Sequence, residues 1–257
     1  MDFEPLQILI AFALTLFAGL ATGIGSLVAF LTKRTNTRFL SLTLGFSAGV
    51  MIYISFMELI PEAREILSEL YLVLSFFGGI AFIAVIDFLI PKEENPHELH
   101  ISEDMDNSRG LKRMGIMLAL SIGIHNFPEG IATFMAGLKS PDVGIPIALA
   151  VAMHNIPEGI AVSVPIYHAT GSRKKAFWYS FLSGLAEPLG ALVALLVLYP
   201  FWNPVIEGLV MSAVSGIMVF ISIDELLPGA ERFGRHHLSI LGFIAGMAVM
   251  AMSLLLI

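Results

Sequence analysis

The sequence predicts an all-α polytopic membrane protein, one domain over residues 1–257 with eight transmembrane helices. Three observations carry that prediction. Of its 257 residues, 56% are hydrophobic and 14% charged, and the mean hydropathy is +0.84. A soluble domain carries about 25% charged residues. Eight stretches are long and apolar enough to cross a bilayer core, which takes about 20 mostly apolar residues per helix. Basic residues then fall in alternate loops, as cytoplasmic loops of membrane proteins require.

The first span, 6–31, follows Met1-Asp2-Phe3-Glu4. A secretory signal opens on basic residues and has a shorter apolar run, so this segment reads as a membrane helix instead. Lys33-Arg34-Thr35-Asn36 ends it. Span 2 covers 39–61 and span 3 covers 71–91. The segment 92–112 is the one sizeable loop, polar and acidic, with His97 and His100. Its composition is that of a flexible segment; the His pair would bind or sense metal weakly, or the loop is a plain linker. Spans 4 and 5, at 113–138 and 143–168, are separated by the reversal Lys139-Ser140-Pro141-Asp142. Gly171-Ser172-Arg173-Lys174-Lys175 precedes span 6, at 176–199. Spans 7 and 8 take 203–227 and 238–257.

The loops after spans 1, 3, 5 and 7 hold Lys33, Arg34, Arg38, Lys92, Arg109, Lys112, Arg113, Arg173, Lys174, Lys175, Arg232 and Arg235, twelve of the 14 basic residues. Arg64 and Lys139 lie on the other face. This predicts that both termini are non-cytoplasmic. That face also gathers Asp2, Glu4, Glu62, Glu65, Glu69 and Asp142, either a mouth that concentrates cations or ordinary solvated loop ends. Cysteine is absent, which excludes disulfides, thiolate metal sites and a cysteine nucleophile. A net charge of −7 argues against nucleic acid as a partner.

The residues that carry chemistry recur. His125-Asn126-Phe127-Pro128-Glu129-Gly130-Ile131-Ala132 in span 4 is matched by His154-Asn155-Ile156-Pro157-Glu158-Gly159-Ile160-Ala161 in span 5. His and Glu four apart share one helical face. The proline before each Glu removes a helical hydrogen bond and frees a carbonyl one turn back. Irregular backbone at membrane depth is tolerated only where it is buried in protein or lines a polar cavity. The reversal at 139–141 lies midway between the motifs, so antiparallel packing brings both to similar depth, near the bilayer centre at 1.5 Å per residue.

Glu187, in Ser183-Gly184-Leu185-Ala186-Glu187-Pro188, is a third acid deep in an apolar stretch. An ionised side chain at helix centre costs about 2.5–3.5 kcal/mol. Between Met114 and Leu138 and through spans 5 and 6 there is no Lys or Arg to offset three of them, which leaves a divalent ion or protonation. Imidazole with carboxylate and no thiolate suits Zn2+, Fe2+, Mn2+ or Co2+, whereas Ca2+ and Mg2+ prefer all-oxygen shells. The alternative is a buried His–Glu hydrogen-bonded pair joining two helices. Met57-Glu58-Leu59-Ile60-Pro61 in span 2 is echoed by Asp224-Glu225-Leu226-Leu227-Pro228 in span 7. The two run in opposite directions, as an inverted repeat of spans 1–3 and 6–8 around a 4–5 core requires. Glu58, Asp224 and Glu225 are then pathway way-stations or interfacial helix ends. Asp87 in span 3, His168 in span 5 and Met51 in span 2 are weaker pathway candidates.

These two motifs and the span 6 segment resemble the ZIP family of metal transporters, and the resemblance extends over the whole chain. It implies a 3+2+3 inverted-repeat arrangement, a homodimer in the bacterial inner membrane, and a binuclear centre between spans 4, 5 and 6. By position, one ion would take His125, Glu129, His154 and Glu158. The second would take Asn126, Asn155 and Glu187, with Glu129 and Glu158 bridging. Relatives with Gln or Asp in the span 5 motif differ from the His154-Asn155 found here. The resemblance also implies spans 1, 4, 5 and 6 sliding against 2, 3, 7 and 8. The function expected is import of divalent transition-metal ions, Zn2+ first, by alternating access, with the ion as substrate and no catalytic cofactor. The alternatives are a membrane-embedded metalloenzyme with Glu187 as base, and a metal sensor with 92–112 as output.

Overall fold

The computed structural model describes residues 3–28, 37–89, 108–198, 201, 203–231 and 236–256. Among these the chain is helical throughout, and the helices form eight spans. Span 1 is Pro5–Val28. Span 2 is Thr37–Ile54, a π-helical turn Ser55–Leu59, and Ile60–Ile66. Span 3 is Glu69–Leu89, span 4 Ser108–Lys139 and span 5 Pro141–Thr170. Span 6 is Arg173–Gly184 followed by Ala186–Val193 and a π-helical turn Ala194–Leu198. Span 7 is Pro204–Ile221, a π-helical turn Ser222–Leu226, and Leu227–Glu231. Span 8 is His236–Leu256. Seven of the eight are long and apolar enough to cross a bilayer by length and composition. The other, span 4, is 32 residues long and carries the first motif.

Spans 5 and 6 start ahead of their apolar stretches, and polar residues cap the starts of spans 5, 6 and 7. Ser140 accepts from the Val143 N–H with Pro141 at the first helical position, Ser172 accepts from Lys175, and Asn203 accepts from Ile206 ahead of span 7. Each satisfies one of the orphaned donors at a helix start. Gly171, in the left-handed region at φ 64°, closes span 5.

Spans 4 and 5 stay helical through Pro128 and Pro157. Span 6 does break, at Leu185, three residues before Pro188. The echo between spans 2 and 7 has a structural counterpart. Ser55-Phe56-Met57-Glu58-Leu59 and Ser222-Ile223-Asp224-Glu225-Leu226 both form π-helical turns, each two residues ahead of a proline. In both, the serine hydroxyl donates to the methionine carbonyl four residues back, Ser55 to Met51 and Ser222 to Met218, at 2.7 Å each. Proline cannot donate to the carbonyl four residues earlier, and a wider turn accommodates the mismatch.

The spans sort into two groups. Spans 1, 4, 5 and 6 pack on one another, and spans 2, 3, 7 and 8 do likewise. Contact between the groups runs mainly through span 2 on span 5 and span 7 on span 4. Glycine placement follows the same division. A Cβ at Gly130 would strike the Glu187 backbone, one at Gly159 the Thr22 carbonyl, one at Gly49 the Phe243 carbonyl, and one at Gly216 the Phe76 carbonyl. Each pair lies inside one group, so backbone-to-backbone contact welds helices within groups. At the boundary, the core of Leu44, Met51, Ile54, Met218 and Ile221 meets Ala132, Ala150 and Ala161 of spans 4 and 5. Spans 3 and 8 turn large side chains such as Tyr71, Phe77, Phe82, Phe88, Ile244 and Leu255 outward.

Candidate metal centre

Span 4 supplies Asn126 and Glu129, span 5 His154, Asn155 and Glu158, and span 6 Glu187. All are fully buried except Glu129, which is 2% exposed. Helical periodicity alone would let one polar residue per turn face a neighbour; three helices crossing here bring six together. His154 Nε2 stands 2.9 Å from Glu129 Oε1, joining span 5 to span 4. The Asn155 amide donates to Glu187 Oε1 and, at 2.9 Å, to the Ala18 carbonyl. The Asn126 amide donates to the Ser183 carbonyl at 3.4 Å. Glu187 in turn lies close enough to Glu129 and Glu158 to feel their charge. Ser47, on span 2, donates to Glu158 Oε1 at 3.2 Å.

Several acceptor oxygens in this cluster have no hydrogen-bond partner: Asn126 Oδ1, Glu129 Oε2, Asn155 Oδ1 and Glu187 Oε2. A buried polar atom left so costs about 1–3 kcal/mol. No Lys or Arg lies between 114 and 138, between 140 and 172, or between 176 and 200 to supply donors. Acceptors crowded together without donors are what a cation relieves. Among the described residues, no three His, Asp or Glu side chains are gathered round one point. One oxygen each of Glu129, Glu187 and Glu158 is instead engaged with His154, Asn155 and Ser47, respectively.

The remaining candidates divide. Met51 is fully buried in the core at the boundary between the groups, not at an opening. Glu58 and Asp224 are half-buried in their π-helical turns. The side chains of His125, Asp87, His168 and Glu225 lie outside the described residues, as do His97, His100 and the rest of 92–107. Two features were not read from the sequence. One is Ser47. The other is Glu207, whose Oε1 stands 3.7 Å from Lys139 Nζ and joins span 7 to the end of span 4, with Glu62 in the same charged group. Each is an ordinary polar residue until the fold supplies its partner.

Apolar helices around a buried, donor-poor cluster of carboxylate, imidazole and carboxamide define a membrane protein built to handle a cation inside the bilayer. Residues 90–254 match the family model described as ZIP zinc transporter. The chain is 61% identical to the zinc transporter ZupT of Streptococcus mutans over 255 residues, covering 96% of this chain and 97% of that one. It is 58% identical to ZupT of Nitratidesulfovibrio vulgaris, covering 97% and 98%. It is 60% identical to ZupT of Lysinibacillus sphaericus, covering 98% of each. The chain belongs to the ZIP zinc transporter family. Membership sets aside the metalloenzyme alternative.

Proposed function

We propose that this chain imports Zn2+ into the cytoplasm through the cluster between spans 4, 5 and 6, with Fe2+, Mn2+ and Co2+ as competing substrates. The observation that carries the reading is the set of unpartnered acceptors on Asn126, Glu129, Asn155 and Glu187, buried on helix segments that carry no Lys or Arg. One ion is held by His125, Glu129, His154 and Glu158. A second is held by Asn126, Asn155 and Glu187, with Glu129 and Glu158 shared. Binding replaces the ion's water by these ligands, and the ligands exchange their present partners for the ion. The division into two welded groups supports alternating access by sliding of spans 1, 4, 5 and 6 along the alanine-lined boundary, as interfaces of small side chains offer little to interlock. The protein acts as a homodimer in the bacterial inner membrane with both termini outside.

Purified protein in liposomes tests this, with pH gradient and voltage set independently. The expected result is saturable zinc accumulation that unlabelled Fe2+, Mn2+ and Co2+ reduce. Protein-containing vesicles that load zinc no faster than empty ones would refute it. A rate that follows an imposed proton gradient at zero voltage marks proton coupling. A rate indifferent to that gradient marks transport driven by the zinc gradient or by voltage.

A further inference from the structure

Most buried hydroxyls of the membrane helices say little about mechanism. Ser55, Ser215 and Ser222 each donate to a carbonyl of their own helix, four residues back, the usual resting place of serine in a lipid-facing bundle. Others bridge helices but remain within one group: Ser212 donates to the Leu72 carbonyl, and Ser180 to the Gly159 carbonyl. Ser47 differs on both counts. It is fully buried on span 2, it donates to a carboxylate rather than a carbonyl, and that carboxylate is Glu158 on span 5. The bond therefore crosses the boundary between the two groups and ends on the metal-site cluster.

Two consequences follow from that placement. A hydrogen bond to a carboxylate fixes its orientation, and such outer partners typically contribute 10–100-fold to the metal affinity of the group they hold. The same bond also exists only in the relative position of the groups seen here. Span 2 cannot move with span 5 if the two groups slide, so displacement of either one breaks it. A neutral hydroxyl suits this double duty: it orients the carboxylate without cancelling the charge the ion needs, and it is released without stranding a second charge in lipid.

We propose that Ser47 is a positioning residue for transport, orienting Glu158 toward the ion and tying the site-bearing group to spans 2, 3, 7 and 8 in this arrangement. The proposal rests on Glu158 being a zinc ligand. The absence of cysteine makes the test direct. K139C and E207C, placed where Lys139 and Glu207 meet across the same boundary, are bridged by a short bis-maleimide reagent and report the population of this arrangement. Zinc affinity is measured by calorimetry on the same detergent-purified samples. In this background S47A should lower zinc affinity about tenfold and reduce crosslinking severalfold, with unchanged elution and thermal unfolding. S47T, which keeps the hydroxyl, should restore both. Ser47 is a packing position, and the proposal fails, if S47A matches its parent in both readouts or if S47T is as impaired as S47A. If the parent itself binds no zinc, the cargo assignment falls, and the crosslinking comparison alone decides whether Ser47 ties the groups.

Discussion

Replacing Glu158 with Ala abolishes zinc uptake, with a loss on the order of 100-fold or more, and leaves a protein that inserts and folds. The loss follows because Glu158 is shared by both proposed ions, and removing even an outer partner of a metal ligand costs about 10–100-fold in affinity. Survival of the fold follows from the membrane. An ionised carboxylate at helix centre costs about 2.5–3.5 kcal/mol, so its removal takes away a burden, while the Ser47 hydroxyl loses its acceptor. The ion-free variant should therefore unfold at the same temperature as its parent or a higher one. Zinc at 100 times its dissociation constant stabilises the parent by about 2.7 kcal/mol, and that increment should vanish. Glu129→Ala loses uptake alike but gains less stability, because it also removes the 2.9 Å contact with His154 Nε2 that joins spans 4 and 5. Zinc uptake in proteoliposomes and thermal unfolding with and without zinc read both effects. A variant at either position that transports at the parent rate would remove that residue from the ligand set.

The membrane fold was legible because hydropathy and loop charge act through lipid, which treats each span separately. Apolar windows missed the first residues of spans 5 and 6 for a physical reason: they stop at polar residues, and Ser140 and Ser172 are polar because they cap. The π-helical turns of spans 2 and 7 were legible only as an echo of residues, and that of span 6 not at all. Serine, acid and proline recur at matching offsets in spans 2 and 7, but no periodicity tells a π turn from an α turn. Gly19 and Gly23, Gly45 and Gly49, and Gly242 and Gly246, at four-residue spacing, read as generic membrane packing; the structure shows that the glycine contacts, those of Gly130 and Gly159 among them, divide the helices into two bodies. Ser47 was beyond reach. Its partner lies 111 residues away, and nothing distinguishes a serine that faces a carboxylate from one that bonds its own helix.

The two groups differ in how they are held. Inside each, main chains touch at glycines, and a shift of one helix against another would meet backbone. Between them, alanine side chains face Leu, Met and Ile, and the polar ties among the described residues include two breakable ones, Ser47 to Glu158, and Lys139 to Glu207 at 3.7 Å. The second sits at a partly exposed edge, where an ion pair contributes about 0–1 kcal/mol. The helices that bear the cluster thus have their stiffest contacts with each other and their weakest with the rest, which is the mechanical condition for moving a site without distorting it.

That condition predicts a large effect far from any ligand atom. Gly130→Ala should destabilise the protein by about 1–3 kcal/mol or more and cut zinc uptake at least tenfold. The added carbon would lie 2.5 Å from the Glu187 Cα and 2.6 Å from its carbonyl carbon. Those atoms are main chain, so no rotamer change relieves the clash, and spans 4 and 6 must separate. Separation moves Glu187 away from Glu129 and Asn155, opening the cluster while every ligand remains present. Gly159→Ala presses on the Thr22 carbonyl in span 1 and should behave alike. Gly78→Ala is the control. Nothing lies within 4 Å of the carbon it adds, and replacing a helical glycine by alanine gains about 0.5–1 kcal/mol, so it should be neutral or slightly stabilising. Thermal unfolding of the three variants, with zinc uptake alongside, separates a clash at the cluster from a general intolerance of the added methyl. If Gly130→Ala is as stable and as active as Gly78→Ala, spans 4 and 6 are not welded at this point.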